Sequence, residues 1–247
     1  MPSAFNTTEA AGVGLSVVIP AFNEADNLEP VVRETLAAFE GQPSFGSFEL
    51  IIVDDGSTDG TAAVADRLAQ SHALVTAIHH PSNRGFGAAL RSGFTASRGR
   101  LVTLITADGE VGPDQVIALI DDMGDADLML GRRERTVSLH RHVLTFGLNL
   151  VMRLILGFVP DATGIYIVRG DLLRKMDLRS NTGLANLEVL LYCRQLKCRI
   201  RTGLTHIRPR LSGTSKVTNA KTMARTLWEM LKLRVALRRR LAGASAA

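Results

Sequence analysis

Short apolar runs alternate with amphipathic stretches through the first half of this 247-residue chain. Unbroken apolar runs rich in β-branched residues are typical of strands buried on both faces, whereas apolar residues at three- and four-residue spacing predict helices. The predicted strands are Leu15–Pro20, Leu50–Val53, Val75–His79, Leu101–Ile105 and Ala126–Gly131. The predicted helices are Leu28–Phe39, Thr61–Gln70, one ending near Ser97, and Asp114–Met123. This alternation predicts an α/β fold with a mostly parallel central sheet flanked by helices.

Acidic side chains follow two of the predicted strands, and basic side chains follow a third. Asp54 and Asp55 come directly after the second strand, Asp108 and Glu110 follow the fourth, and arginines follow the fifth, within residues 132–135. The carboxyl ends of parallel strands share one edge of a sheet, where open α/β sheets bind ligands. A divalent ion there can bridge carboxylate and phosphate oxygens while arginines bind the rest of a diphosphate. The alternative is that the aspartates only make turn and cap hydrogen bonds.

Two glycines, Gly85 and Gly87, open the predicted helix that ends near Ser97. Glycine permits close approach of another backbone or a ligand, and a helix N-terminus favours an anion. A dinucleotide-binding fingerprint would need Gly-x-Gly-x-x-Gly directly after the first strand. These glycines follow the third strand and lack the third glycine, which excludes a nicotinamide site of that type.

The net charge of +5 conceals a strongly basic C-terminal segment. From Arg194 onward, 14 Lys and Arg stand against one acidic residue, Glu229. Such an excess predicts an anionic partner. Aromatic residues make up 5% of the chain and do not alternate with the basic ones. We therefore expect no nucleic acid partner and favour an anionic membrane surface.

The C-terminal residues 218–241 combine apolar positions at helical spacing with lysines and arginines. This pattern predicts a basic amphipathic helix on a membrane surface, and a core-packed helix with solvated charges is the alternative. No run of 18 apolar residues occurs, and the most apolar stretch, Val143–Val159, is interrupted by Asn149 and Arg153. No membrane-spanning helix is therefore predicted. We expect a cytoplasmic protein, peripheral at the inner face of the membrane.

Three further groups of residues receive structural interpretations. Residues 1–13 lack the pattern of a secretory signal and are predicted to be a disordered leader. Cys193 and Cys198 are predicted to lie on one helix, to point in different directions and to be reduced core thiols. The histidines show no metal-binding spacing and are interpreted as structural or surface residues.

Six motifs occur in an order that resembles the family 2 glycosyltransferases of the GT-A fold, and in particular their dolichyl-phosphate mannose synthase branch. They are residues 18–24 (VIPAFNE), 52–59 (IVDDGSTD), 83–87 (NRGFG), 106–110 (TADGE), 161–164 (DATG) and 210–216 (RLSGTSK). The resemblance extends over about residues 14–220. It implies a GT-A domain over residues 14–212, followed by an acceptor loop and the amphipathic helix over residues 213–247.

The resemblance also implies an activity. A sugar would pass, with inversion at the anomeric carbon, from a nucleotide-diphosphate sugar of the GDP-mannose or UDP-glucose type to a polyprenyl phosphate. A membrane-protein partner is a further expectation. The residues assigned to the nucleotide sugar are Pro20, Ala21, Asn23, Glu24, Asp54, Asp55, Gly85, Gly87 and Asp108. Asp59, in the same loop as Asp55, is interpreted as structural.

A divalent metal, Mg²⁺ or Mn²⁺, is implied on the diphosphate. Asp108 matches the second carboxylate of the family's Asp-x-Asp motif, whereas Thr106 stands where the first carboxylate is usual. Glu110 stands where the branch commonly has Gln, and we expect it to bind the metal together with Asp108. Arg133 and Arg141 match arginines that neutralise phosphate in this family.

The acceptor phosphate is assigned to Arg210, Ser215 and Lys216, which match the segment that meets it in the family. An acceptor hydroxyl would need a general base, whereas a phosphate is already charged and needs a cationic cradle. Glu188 could orient the sugar or act as that base, or it could be a favourable charge in the first turn of a helix. The open alternatives are a glycosyltransferase acting on a lipid or glycan hydroxyl and a catalytically silent protein that binds sugar nucleotides.

Overall fold

The computed structural model describes residues 12–133, 164–206, 208–209 and 228–229. In chain order the elements are β1 (Leu15–Ala21), α1 (Ala25–Phe39), β2 (Phe48–Asp54), α2 (Thr61–Ser71), β3 (Val75–His79), α3 (Phe86–Ala96), β4 (Leu101–Leu104), α4 (Pro113–Met123), β5 (Leu128–Arg133), β6 (Tyr166–Arg169), α5 (Gly170–Leu173), α6 (Leu184–Gln195) and β7 (Ile200–Thr205). Trp228 and Glu229 are also helical. The predicted leader, the apolar stretch around residues 144–158 and most of the predicted C-terminal helix lie outside the described residues.

One seven-stranded sheet, in the order β3-β2-β1-β4-β6-β5-β7, forms the centre of the described chain. The strands β3, β2, β1 and β4 pair in parallel, β6 is antiparallel to both β4 and β5, and β7 is parallel to β5. Every described strand except β6 therefore points the same way, which confirms the predicted mostly parallel sheet.

Helices cover both faces of the sheet. The apolar sides of α1, α2 and α4 form one core with residues such as Leu15, Leu50 and Ile52 of the sheet. On the other face, α3 and α6 form a second core around Val18 and Ile51. Burial on both faces explains why the apolar runs in β1 and β2 are continuous rather than alternating. Within the described residues, no helix combines the length and the hydropathy needed to cross a membrane.

The sheet opens a crevice at the carboxyl end of β1. The chain builds β2 and β3 on one side of β1 and then places β4 on the other, which makes this a topological switch point. Pairing with β2 continues to Ala21, whereas pairing with β4 stops at Val18. In a strand, the backbone polar groups of every second residue face the same neighbouring strand. The Val18 carbonyl faces the β4 side, and so does Pro20. Pairing with β4 has already ended there, so the sheet loses no hydrogen bond through the missing N–H of proline. The two strands therefore separate beyond Val18.

The positions of the two cysteines show that one prediction from the sequence is wrong. α6 ends at Gln195, so Cys198 is not on the same helix as Cys193. Lys197 takes a left-handed conformation with φ 54°, and the Cys198 N–H donates to the Cys193 carbonyl at 2.9 Å. This helix-ending turn folds the chain back, so that Cys193 lies in the second core and Cys198 packs against the same core. Cys193 is fully buried and both are thiols, as predicted.

Candidate functional site

The loops after β1 and β2 are joined by side-chain hydrogen bonds at the carboxyl edge of the sheet. Asn23 adopts φ 53°, and its Oδ1 accepts from the Thr58 N–H at 2.8 Å while its own N–H donates to Ser57 Oγ at 2.9 Å. The Glu24 N–H donates to Thr61 Oγ1 at 2.8 Å. The loop that contains the predicted donor-binding residues is therefore fixed before any ligand binds.

Other predicted residues of this region also make internal contacts. The half-buried Pro20 is paired within β1, and the carbonyl of the buried Ala21 accepts from the Asp55 N–H at 2.9 Å. Asp59 accepts the N–H groups of Thr61 at 2.9 Å and Ala25 at 3.3 Å. These hydrogen bonds give Asp59 the structural role predicted for it, at the starts of α1 and α2.

Asp54 ends β2 and points towards α2. It is 3% exposed, and its Oδ1 accepts the Ser57 N–H at 3.1 Å. Its Oδ2 lies 3.2 Å from His79 Nδ1, and the other ring nitrogen of His79 lies 3.1 Å from Asp66 Oδ1. Burial would lower the pKa of His79, but its hydrogen bonds to the two aspartates outweigh burial, and the pKa is raised. Protonated His79 therefore stabilises this arrangement.

Asp55 points towards the opposite face of the sheet and is equally buried, at 3% exposure. Its two carboxylate oxygens accept the N–H groups of Arg84 at 3.0 Å and Gly85 at 2.7 Å. His80 Nδ1 lies 2.6 Å from Asp55 Oδ1, and His80 Nε2 lies 2.9 Å from Ser92 Oγ. Asp55 thus anchors the chain after β3, and its predicted contact with a nucleoside stays a prediction.

A cavity of about 560 Å³ lies at the carboxyl ends of β2 and β3. Its wall combines the ring of Phe22 with two carboxylates, two imidazoles and several hydroxyl and amide groups. The lining residues are Phe22, Asp54, Gly56, Ser57, Thr58, Ala62, Asp66, His79, His80, Pro81, Ser82 and Asn83. A volume in this range, with an aromatic wall and a few polar groups, is typical of a small-molecule site.

The glycine loop, residues 84–87, packs against a second turn, residues 179–182, which we call the clamp turn. A Cβ on Gly85, which has φ +101°, would lie 2.3 Å from the Asn181 carbonyl oxygen. A Cβ on Gly87 would lie 2.3 Å from the Ser180 carbonyl oxygen, and the Gly87 N–H donates to the Asn181 carbonyl at 3.1 Å. The close approach predicted for these glycines is therefore made by the chain's own backbone. A direct contact of either glycine with a nucleotide sugar stays a prediction.

The turn after β4 holds the predicted metal ligands. Asp108 Oδ1 accepts the Glu110 N–H at 3.1 Å, and both side chains are half-buried. Thr106 Oγ1 accepts the Val111 N–H at 3.2 Å, so this residue closes the turn where the family usually has a carboxylate. The turn follows β4 directly and borders the crevice beside β1.

The donor set of this turn fits a divalent cation that shares its coordination with a ligand. Mg²⁺ is commonly held by one or two carboxylates together with substrate phosphate oxygens and water. Asp108 and Glu110 supply two such carboxylates within one turn. Across the described ranges no group of three or more His, Cys, Asp or Glu side chains is placed to hold a metal alone. The pair therefore suits a metal that arrives with a diphosphate.

Arg208 ties the chain after β7 to this turn. Its N–H donates to the Glu110 carbonyl at 3.1 Å, and its guanidinium contacts Glu34 Oε1 and Asp114 Oδ1, each at 2.6 Å. The hydrogen bond to Glu34 is the main cause that raises the pKa of Arg208. Sequence reasoning missed this residue, although it stands two positions before the predicted acceptor residue Arg210.

Four predicted residues, Arg141, Arg210, Ser215 and Lys216, lie outside the described residues. Arg133 is the last residue of β5, and only its backbone is described. The predicted roles of these five residues in binding phosphate therefore stay predictions.

The position of Glu188 contradicts the interpretation of this residue as a charge in the first turn of a helix. α6 begins at Leu184, which places Glu188 beyond the first helical turn. Its side chain is buried, and its Oε2 accepts the N–H groups of Arg179 and Ser180, both at 2.9 Å. Burial raises the pKa of this carboxyl even though these N–H groups favour the charged form. The interpretation of Glu188 as a first-turn charge is wrong, and its visible role is to hold the clamp turn.

The fold and the carboxylate turn together define an α/β protein with a candidate ligand site at its switch point. Residues 16–141, half of the chain, match the family described as Glycosyl transferase family 2. The chain therefore belongs to glycosyl transferase family 2, as its motifs predict.

Curated relatives and solved structures extend this finding. The dolichyl-phosphate beta-glucosyltransferase ALG5C of Trichomonas vaginalis is 36% identical over 118 residues, which are 46% of this chain and 34% of that protein. The polyprenol monophosphomannose synthase of Mycolicibacterium smegmatis is 36% identical over 176 residues, which are 66% of this chain and 64% of that protein. The chain thus spans less than two thirds of the length of either relative.

A solved structure confirms the GT-A fold. Glucosyl-3-phosphoglycerate synthase from Mycobacterium tuberculosis, in complex with Mn²⁺, uridine diphosphate and glucosyl-3-phosphoglycerate, superposes with a TM-score of 0.67. The match covers 90% of this chain and 80% of that one at 22% sequence identity. At this identity the likeness concerns the fold alone.

Proposed function

We propose that this chain transfers a sugar, with inversion, from a nucleotide-diphosphate sugar to a polyprenyl phosphate at the cytoplasmic face of a membrane. The contact of the Arg208 N–H with the Glu110 carbonyl, at 3.1 Å, carries the proposal. It brings the chain to the carboxylate turn just before Arg210, where the predicted acceptor residues begin. Relatives named for dolichyl-phosphate and polyprenol-phosphate products support the acceptor class.

The donor would lie along the carboxyl edge of the sheet. The nucleoside would occupy the region of Phe22 and the cavity beside Asp54, and the diphosphate would extend towards Asp108 and Glu110. Asp108 and Glu110 would hold Mg²⁺ or Mn²⁺, which would stabilise the negative charge of the departing diphosphate. A donor of the GDP-mannose or UDP-glucose type is consistent with this arrangement.

The position of Glu188 favours a phosphate acceptor over a hydroxyl acceptor. Two backbone N–H groups already hold its carboxylate, and the side chain is 5% exposed. A general base must reach the proton that it removes, directly or through one water. A phosphate acceptor carries negative charge at neutral pH and needs cations instead. Arg210 and Lys216 would supply that charge.

The basic C-terminal segment supports the proposed association with a membrane. The excess of lysines and arginines after Arg194 suits the negative surface of a cytoplasmic leaflet. Trp228, which is 60% exposed, is the kind of side chain that settles at a membrane interface. A membrane-protein partner would serve the same localisation.

A radiolabel transfer assay tests the proposal. Labelled GDP-mannose and UDP-glucose would be offered with a polyprenyl phosphate, with the matching polyprenol and with 3-phosphoglycerate, each with and without a chelator. We expect a chelator-sensitive, acid-labile lipid product with the polyprenyl phosphate alone. Transfer to the polyprenol instead would establish the hydroxyl alternative. Nucleotide binding without transfer to any acceptor would indicate the silent protein.

A further inference from the structure

The single acidic residue of the basic C-terminal segment makes a specific contact with the domain. Glu229 Oε2 accepts hydrogen bonds from Ser180 Oγ at 2.6 Å and from Thr182 Oγ1 at 2.7 Å. Both hydroxyl-bearing residues are 7% exposed. One carboxylate oxygen thus joins two buried hydroxyls from the clamp turn to a helical residue near the end of the chain.

Charged side chains hold the clamp turn from three sides. Glu188 accepts two of its backbone N–H groups, and Glu229 accepts its two hydroxyls. The Arg91 guanidinium donates to the Ser180 carbonyl and to Asn181 Oδ1. Arg91 also interacts electrostatically with both glutamates, whose negative charge offsets part of the cost of burying its guanidinium, although burial still lowers the pKa of Arg91. Neutralising one glutamate therefore disturbs the whole arrangement.

The clamp turn in turn fixes the glycine loop. The carbonyl oxygens of Ser180 and Asn181 fill the space beside Gly87 and Gly85, where no Cβ fits. The Gly85 N–H donates to Asp55 Oδ2 at 2.7 Å on its other side. A continuous series of hydrogen bonds and close contacts therefore connects Glu229, through the clamp turn and the glycine loop, to Asp55 at the carboxyl edge of the sheet.

We propose that Glu229 is a positioning residue for the nucleotide sugar: by fixing the clamp turn against the glycine loop, it sets the backbone beside Asp55. The inference rests on the proposed function in one respect, namely that the nucleotide sugar binds at the carboxyl edge of the sheet. It assigns a role to a part of the chain that the sequence predicts to contact a membrane. The acidic residue there serves the donor site rather than the membrane surface.

The test compares Glu229→Gln with Glu40→Gln, which makes the same chemical change on an exposed side chain at the end of α1. Binding of UDP and GDP with Mn²⁺ is measured by calorimetry, and donor KM and kcat are measured in the transfer assay. We expect Glu229→Gln to weaken nucleotide binding and raise donor KM about three- to tenfold, with kcat at saturating donor within about twofold. Glu40→Gln should match wild type.

Two further variants separate positioning from loss of folded protein. Ser180→Ala should reproduce part of the effect, and its combination with Glu229→Gln should be less than additive because both remove the same hydrogen bond. Glu229→Asp, which keeps the charge, should recover part of the affinity. A general loss of folded protein would instead lower kcat and leave KM unchanged.

The outcomes also separate the inference from the proposed function. Wild-type protein that binds neither nucleotide contradicts the proposed function. Wild-type binding that Glu229→Gln leaves unchanged overturns the positioning role and leaves the function standing.

Discussion

Two carboxylate-bearing loops flank β1, and the protein uses them differently. After β2, Asp54 and Asp55 are each 3% exposed, and backbone N–H groups and histidines occupy their oxygens. After β4, Asp108 and Glu110 are half-buried in a turn beside the open crevice. The same sequence pattern, a buried strand followed by acidic residues, therefore builds the edge of the sheet in one place. In the other it leaves two carboxylates partly exposed beside the crevice, where we propose that they bind a metal.

The largest effect on activity is expected from Asp108→Asn. Replacing the carboxylate with an amide keeps the size of the side chain and removes the negative charge that would hold the metal on the diphosphate. We expect kcat/KM to fall on the order of 100- to 1000-fold. The melting temperature should stay close to that of wild type because the side chain is not fully buried. Activity within tenfold of wild type would contradict the role of this turn.

Asp55→Asn should mainly reduce the stability of the folded protein, unlike Asp108→Asn, which should mainly reduce activity. The amide would turn an N–H₂ group towards a backbone N–H donor and remove the charge paired with His80. We expect a loss of roughly 2–4 kcal/mol of unfolding free energy, measured by urea denaturation. Unchanged stability together with a loss of nucleotide affinity would instead make Asp55 a ligand-binding residue.

Arg208→Ala keeps the backbone hydrogen bond to Glu110 and tests whether the side-chain anchors of this segment serve the acceptor. Loss of the guanidinium releases the chain beside Glu110 from Glu34 and Asp114. We expect the KM for polyprenyl phosphate to rise about three- to tenfold, with donor KM nearly unchanged. Arg33→Ala is the matched control, because it removes an exposed helical ion pair with Glu29 that contributes little. An equal rise in both KM values would exclude a specific role in acceptor binding.

The smallest expected effect is a change with pH in the stability that His79 contributes. The pKa of His79 is raised by its hydrogen bonds to Asp54 and Asp66, against the opposing effect of burial. Its contribution to stability is fully present below the unfolded pKa of about 6.5 and is lost as pH rises through the higher folded pKa. The stability difference between wild type and His79→Gln should therefore shrink with rising pH. Because the side chain is 35% exposed, solvent screens the effect. A constant difference would show that His79 does not titrate in this range.

The first half of the fold was predictable because each buried strand has its own local apolar run. The prediction placed β3 at the observed residues, and β1 continued one residue past Pro20. α1 begins three residues before the predicted Leu28 because its first turn carries few apolar positions. β7 was not predicted because it carries no continuous apolar run, and three of its six residues, including Arg201, are exposed at the sheet edge.

The candidate site was predictable only where its residues are close in sequence. Asp108 and Glu110 share one turn because they are two positions apart, and their joint metal role, which the family resemblance implies, stays a prediction. Arg208 and Asp114 are 94 positions apart, and Ser180 and Glu229 are 49 apart. No local pattern reports such contacts. Nothing near Gly85 and Gly87 in the sequence shows that the clamp turn packs against them, and their predicted contact with a nucleotide sugar stays a prediction.

A metal titration of nucleotide binding addresses the contrast between the two loops most directly. Binding of UDP and GDP would be followed against Mn²⁺ concentration for wild type, Glu110→Gln and Asp55→Asn. We predict that Glu110→Gln raises the half-saturating Mn²⁺ concentration about tenfold or more and leaves the melting temperature unchanged. Folded Asp55→Asn should keep the wild-type metal requirement. A Glu110→Gln variant with the metal requirement of wild type would contradict the assignment of the β4 turn as the metal site.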